Sequence, residues 1–119
     1  MTHSEFDQFF IETLQNIIAD TKEYDAYIST QTSRDYKDIR KDYAFTIKDI
    51  QRFLKKIHTI KDLEKLSVNQ ITRLYEYLQD YYDNFIISNE PEQKEKDLAY
   101  AAKLDKIMNL FVDADHEYD

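Results

Sequence analysis

The residues best suited to binding chemistry lie between positions 75 and 85, in the segment Tyr-Glu-Tyr-Leu-Gln-Asp-Tyr-Tyr-Asp-Asn-Phe. The candidate residues there are Glu76, Tyr77, Asp80, Tyr81 and Asp83. On a helix, the two tyrosines fall beside a buried apolar row and the three acids lie further round. Tyrosine gives contact area at a low entropic cost, and carboxylates pair with Lys or Arg of a partner. The segment therefore predicts a surface for a basic protein, and the alternative is a set of core-rim tyrosines with hydroxyls in water.

The apolar row of this helix is expected to contain Tyr75, Leu78, Tyr82 and Phe85, which follow the three- and four-residue steps of a helical face. A shorter pattern of the same kind occurs near the start of the chain, at residues 23–27. Asp25 and Tyr27 are its candidate binding residues. They predict a second patch of the same chemistry.

The segment from Arg52 to His58 resembles the catalytic motif of HEPN-type helical ribonucleases, in which an Arg and a His of each subunit meet across a dimer. The resemblance implies RNA cleavage by these two residues. The segment departs from the family pattern because no polar residue follows Arg52. On one continuous helix the two side chains point about 240° apart, so they converge only if His58 turns back past the helix end. The alternative is that His58 stabilises the negative end of the helix dipole.

Composition removes several kinds of chemistry. The 119 residues include no Cys and no Gly, which excludes thiolate metal sites, cysteine nucleophiles and glycine-rich phosphate loops. The three histidines form no ExxH or HExxH unit, so we expect no metal site and no cofactor. His116 lies in the acidic segment 113–119, for which a frayed, solvated tail is the expected structure.

The formal net charge is −8 and the isoelectric point is about 4.8, which opposes binding to a nucleic-acid backbone. No run approaches the roughly 18 apolar residues of a membrane span, and the acidic first ten residues differ from a signal or transit peptide. We therefore expect a cytoplasmic protein that does not enter membranes. Abundant Ile, Lys, Asp and Tyr suggest a bacterial or phage gene.

Apolar residues recur every three or four positions along most of the chain, which predicts an all-α protein. We expect four helices near 3–30, 34–57, 67–88 and 90–112, with a short helical turn near 60–66. Ser67 and Gln70 have the spacing of a capping box, and Pro91 is typical of a first helical turn. Short connections favour an antiparallel four-helix bundle. The predicted organisation is one domain, 1–112, followed by the tail.

Charge is unevenly distributed along the chain. The balance is −5 over residues 1–33, +4 over 34–65, −4 over 66–93 and −3 over 94–119. One explanation is attraction between neighbouring helices, although each exposed ion pair contributes only about 0–1 kcal/mol. The other explanation is that the outward faces present fields of opposite sign to partners.

These features predict a non-enzymatic, acidic helical protein-binding module. We expect an inhibitor or immunity protein, or an adaptor, that docks on a larger and more basic partner. Its size, its acidity and its paired tyrosine are similar to those of small acidic helical immunity proteins. The first alternative is a homodimeric structural subunit or scaffold that buries a wide apolar stripe by self-association. A HEPN-like ribonuclease is the more distant alternative.

Overall fold

A computed structural model describes residues 3–30 and 36–116, with side chains described for 5–30 and 37–111. The helices are α1 (His3–Ser29), α2 (Tyr36–Lys56), a 3-10 helix (Ile60–Lys65), α3 (Val68–Asp83) and α4 (Pro91–His116). No strand occurs in this part of the chain. The prediction of an all-α fold, with four long helices and a short helical turn between the second and third, is confirmed.

The chain divides into two compact units, Met1–Asp62 and Leu63–Asp119. The first unit contains α1 and α2, which run antiparallel. At one end of the pair, the Arg40 Nε atom lies 3.0 Å from the Asp25 carboxylate. At the other end, the Ile60 backbone N–H donates a 2.7 Å hydrogen bond to the Asp7 carboxylate.

The buried apolar side chains of the first unit recur mostly at steps of three and four residues along α1 and α2, as the helical periodicity predicts. They are Phe9, Phe10, Leu14, Ile17, Ile18, Ile50, Phe53 and Ile57. Two buried threonines lie among them, and each hydroxyl donates to a carbonyl four residues earlier: Thr13 to Phe9 at 2.8 Å and Thr21 to Ile17 at 2.7 Å. These polar groups are therefore satisfied within their own helix.

The second unit contains α3 and α4, which also run antiparallel. The Tyr75 ring lies 6.2 Å from the Phe111 ring near one end, and the Phe85 ring stacks at 5.2 Å on Tyr100 near the other. The buried side chains of this unit are Leu63, Leu66, Ile71, Leu74, Leu78, Leu104, Ile107, Met108 and Phe111.

Local hydrogen bonds explain where the shorter elements begin. The Ser67 hydroxyl accepts from the Gln70 backbone N–H, and the Gln70 side chain accepts from the Ser67 backbone N–H, as the capping-box spacing predicts. The Asp62 carboxylate accepts from the backbone N–H groups of His58 and Thr59, which caps the 3-10 helix from within its first turn.

Helix α3 is shorter than expected, and α4 is longer. The prediction that α3 extends to residue 88 is wrong, because Asn84 ends the helix. Both its backbone N–H, at 3.1 Å, and its side-chain amide, at 2.8 Å, donate to the Asp80 carbonyl. Helix α4 continues to His116, four residues past its predicted end. Of the predicted tail 113–119, the side chains and the last three residues lie outside the described part.

Candidate functional site

The three acids of the first candidate site lie together on one face of α3. Glu76, Asp80 and Asp83 are all exposed. At about 100° per residue they fall within about 60° of one another, on the side opposite the buried Leu74 and Leu78. The carboxylates are therefore available to a cation of another molecule.

Tyr81 has a different environment from these acids. It is half-buried, and its hydroxyl oxygen lies 3.3 Å from that of Tyr100 on α4. Its ring lies 6.4 Å from the Tyr100 ring and 6.3 Å from the Phe85 ring. Tyr81 thus belongs to an aromatic cluster that joins α3 to α4, as the core-rim interpretation predicts. Tyr77 is also half-buried and takes part in an interaction within the protein.

Tyr82 is exposed, so its predicted place in the buried row is wrong. The row that packs inward runs through Ile71, Leu74, Leu78 and Tyr81 to the half-buried Phe85. Tyr81 takes the inward position because Tyr100 and Phe85 provide ring contacts for it.

The most exposed apolar side chain next to the acids lies outside the site predicted from the sequence. Ile86 is 85% exposed, and Ile87 beside it is also exposed. They were missed because the helix was expected to continue through both positions. We call the surface formed by Asp80, Asp83, Ile86 and Ile87 the α3–α4 corner.

The backbone of this corner is held on both sides of the isoleucines. The Phe85 N–H donates to the Tyr82 carbonyl at 3.2 Å. The Ser88 N–H donates to one carboxylate oxygen of Asp97 at 2.9 Å, and the Gln93 side chain donates to the other at 2.8 Å. The segment that presents Ile86 and Ile87 is therefore anchored to α3 and to α4.

The electrostatic potential at the corner is negative. Asp80 and Asp83 lie in the last turn of α3, which contains no basic residue. The last turn of a helix already carries about half a negative charge from its unpaired carbonyls. Acids at this end cost stability, and together with the carbonyls they attract a cation to the corner.

In the second candidate patch, the Tyr27 side chain is exposed and the Asp25 carboxylate is paired with another residue. Tyr27 is 69% exposed. Asp25, in contrast, is bonded to Arg40 on α2, and the neighbouring Tyr24 ring lies 6.4 Å from the Tyr43 ring. Because its carboxylate already pairs with a cation, Asp25 is less available to another molecule than the exposed acids of α3.

The residues with the ribonuclease-like spacing are both exposed, and α2 ends at Lys56, between them. The backbone N–H of His58 bonds to Asp62. Among the described residues, no hydrogen bond joins the Arg52 and His58 side chains. A hydrogen-bonded Arg52–His58 pair is therefore not formed within this chain.

Within the described residues, no group of three or more His, Asp or Glu side chains is placed to hold a metal ion. The acidic cluster around His116 lies outside the described side chains. None of the helices in residues 3–30 and 36–116 has both the length and the apolar character needed to cross a bilayer.

No protein family, no characterised protein and no solved structure shows significant similarity to this chain. The function is therefore inferred from the side chains and their geometry.

Proposed function

We propose that this protein is a non-enzymatic binding module whose α3–α4 corner docks on a larger, more basic protein. Its role would be that of an inhibitor or immunity protein, or of an adaptor. The partner contributes Lys or Arg side chains to Asp80 and Asp83, and an apolar pocket to Ile86.

The observation that carries the proposal is the exposure of Ile86 on an anchored segment. Leaving an isoleucine in water forfeits about 1.5–3 kcal/mol of burial free energy. The hydrogen bonds at Phe85 and Ser88 fix the backbone on either side. Little conformational entropy is then lost when a partner covers the side chain, so the gain from burial is largely retained.

The acids also favour a positively charged partner at this corner. Asp80 and Asp83 are exposed, and they lie at the negative end of α3. A positively charged partner is attracted over a distance comparable to the Debye length, about 8 Å at physiological salt. Electrostatic attraction speeds association, and burial of Ile86 slows dissociation.

The test is a quantitative comparison of partner binding. The wild-type chain is used to capture proteins from a lysate of its native cell, and the dissociation constant of the recovered partner is measured by calorimetry. The variant Asp80→Asn/Asp83→Asn/Ile86→Ser is expected to bind at least about tenfold more weakly, a loss of about 1.4 kcal/mol. All three side chains are exposed, so the circular dichroism spectrum should not change.

The matched control is Asp38→Asn/Asp105→Asn, which makes the same change in net charge at exposed positions of α2 and α4. It should retain wild-type affinity. Equal affinity of the corner variant and the wild type would show that the partner binds elsewhere.

The second patch, at Tyr27, remains a candidate for the same chemistry and can be tested with Tyr27→Ser in the same assay. The cytoplasmic location and the bacterial or phage origin stay predictions from composition.

A further inference from the structure

A line of positive charge follows the outer face of α2. Lys37, Lys48 and Lys55 are exposed and are separated by eleven and seven residues. At about 100° per residue they lie within about 20° of one line, which extends about 27 Å. Lys41 and Arg52, also exposed, lie beside it. We call these five residues the basic stripe.

The acids of α2 do not interrupt this stripe. Asp38, Asp42 and Asp49 lie within about 40° of one another, on a flank about 100–140° from Lys37. Asp49 is buried. Among the described residues, no carboxylate lies within ion-pair distance of Lys37 or Lys48. The stripe is therefore positive along its whole length and is available to another molecule.

The outer face of α1 carries the complementary pattern. Glu5, Glu12 and Glu23 are exposed and are separated by seven and eleven residues, the same two intervals in the reverse order. Within its own chain, Glu12 also accepts a 3.1 Å hydrogen bond from the Gln8 side chain, and Glu5 takes part in an interaction. They too lie within about 20° of one line. We call these three residues the acidic stripe.

The two stripes match when the helices are antiparallel. In one register Glu5 faces Lys55, Glu12 faces Lys48 and Glu23 faces Lys37. The residue numbers of each pair sum to 60. Lys41 and Arg52 then lie one turn from Glu23 and Glu12, respectively.

One molecule cannot form these pairs with itself. Its own α1 and α2 already pack in another register, in which Asp25 lies against Arg40 and Tyr24 against Tyr43. Both stripes lie on faces that this packing leaves exposed. A second copy of the chain can supply the matching helix.

An exposed apolar side chain lies at one edge of the basic stripe. Phe45 is 56% exposed, and around the helix it lies about 60° from Lys48 and about 20° from Arg52. Partial burial of the Phe45 ring on association adds attraction that does not depend on charge.

We infer that this protein self-associates by packing the basic stripe of one copy against the acidic stripe of a second copy, with Phe45 at the edge of the contact. This interaction is separate from the α3–α4 corner and does not depend on the function proposed for it. Repulsion between two chains of net charge −8 acts over long distances and is screened at about 0.15 M salt, where the Debye length is about 8 Å. The direct pairs are closer than that and are screened less.

Sedimentation velocity over a concentration series tests the inference. At about 0.15 M salt the wild-type chain should form dimers or larger species, and about 1 M salt, with a Debye length of about 3 Å, should weaken them. The variant Lys37→Glu/Lys48→Glu/Lys55→Glu should associate at least about tenfold more weakly at the lower salt. Adding Glu5→Lys/Glu12→Lys/Glu23→Lys to it restores opposite charges and the original net charge, and should restore association.

The control is Lys94→Glu/Lys96→Glu/Lys106→Glu, which reaches the same net charge as the first variant from exposed positions on α4. It should associate more strongly than the α2 variant. A wild-type chain that stays monomeric at about 1 mM would overturn the inference. So would a control that weakens association as much as the α2 variant, or a six-residue exchange that fails to restore it. Circular dichroism of each variant checks that the helices remain.

Discussion

Tyr81 packs against α4 beneath the candidate surface, so we expect it to stabilise the fold and not to contact a partner. Its hydroxyl lies 3.3 Å from that of Tyr100, and its ring packs near Phe85. Tyr81→Ala should therefore lower the free energy of unfolding by about 2 kcal/mol, roughly half the cost of truncating a fully buried ring. Tyr81→Phe removes only the hydroxyl and should cost no more than about 1.5 kcal/mol. Urea denaturation of both variants measures the difference, and equal effects would contradict the role assigned to the ring.

Asp20 is a carboxyl group whose protonation should stabilise the folded state. Partial burial, and then the nearby charge of Glu23, raise the pKa of Asp20 above its usual value of 3.8. The folded state therefore binds this proton more tightly than the unfolded state. The contribution of Asp20 is unfavourable at neutral pH and disappears as the pH falls through the raised pKa to below 3.8.

Asp20→Asn should accordingly raise the melting temperature slightly at pH 7 and leave it unchanged near pH 3. The gain should stay within about 0.5 kcal/mol because the side chain is open to solvent. Glu23→Gln removes the negative charge near Asp20 and should give part of the same gain in stability. Thermal unfolding followed by circular dichroism at several pH values measures both, and a loss of stability for Asp20→Asn at pH 7 would contradict this account.

At the scale of elements, the acids in the last turn of α3 lower the stability of the helix and give its end a negative charge. Asp83 lies at the negative end of the helix, where a cation is favoured by about 0.3–1 kcal/mol. Asp83→Lys should therefore stabilise the second unit by about that amount while weakening partner binding. Glu76→Lys, at an exposed position in the middle of the same helix, should not give the stabilisation. Urea denaturation and calorimetry measure the two effects, and a destabilised Asp83→Lys chain would contradict the dipole argument.

Most helix boundaries could be predicted from the sequence because the signals are local. Ser67 with Gln70 fixed one start, and Pro91 fixed another. The choice between Tyr81 and Tyr82 could not be predicted, because both lie about 50° from the centre of the buried row of α3. Tyr100, on another helix, decides it through its contact with Tyr81.

The exposure of Ile86 was missed for a related reason. It depends on Asn84 ending α3, and asparagine is also compatible with a helix interior at modest cost. The acids of the site could be predicted because their positions on one helix follow from spacing alone.

At the scale of the whole molecule, the corner and the charged stripes belong to different units of the chain. Changes at one should therefore leave the other unaffected. The variant Lys37→Glu/Lys48→Glu/Lys55→Glu should keep its affinity for the partner within about threefold, and the corner variant should keep its self-association. Calorimetry and sedimentation velocity on both variants measure this independence. A corner variant that also loses self-association would show that the two surfaces are coupled.

Photo-crosslinking from position 86 in the native cell shows whether the α3–α4 corner contacts a basic protein. A benzophenone amino acid replaces Ile86 in one chain and Leu110 in a control chain, where the residue is exposed but lies on α4, away from the corner. We predict a covalent adduct with one basic protein from position 86 and little or none from position 110. The same adducts from both positions, or none from position 86, would contradict the account.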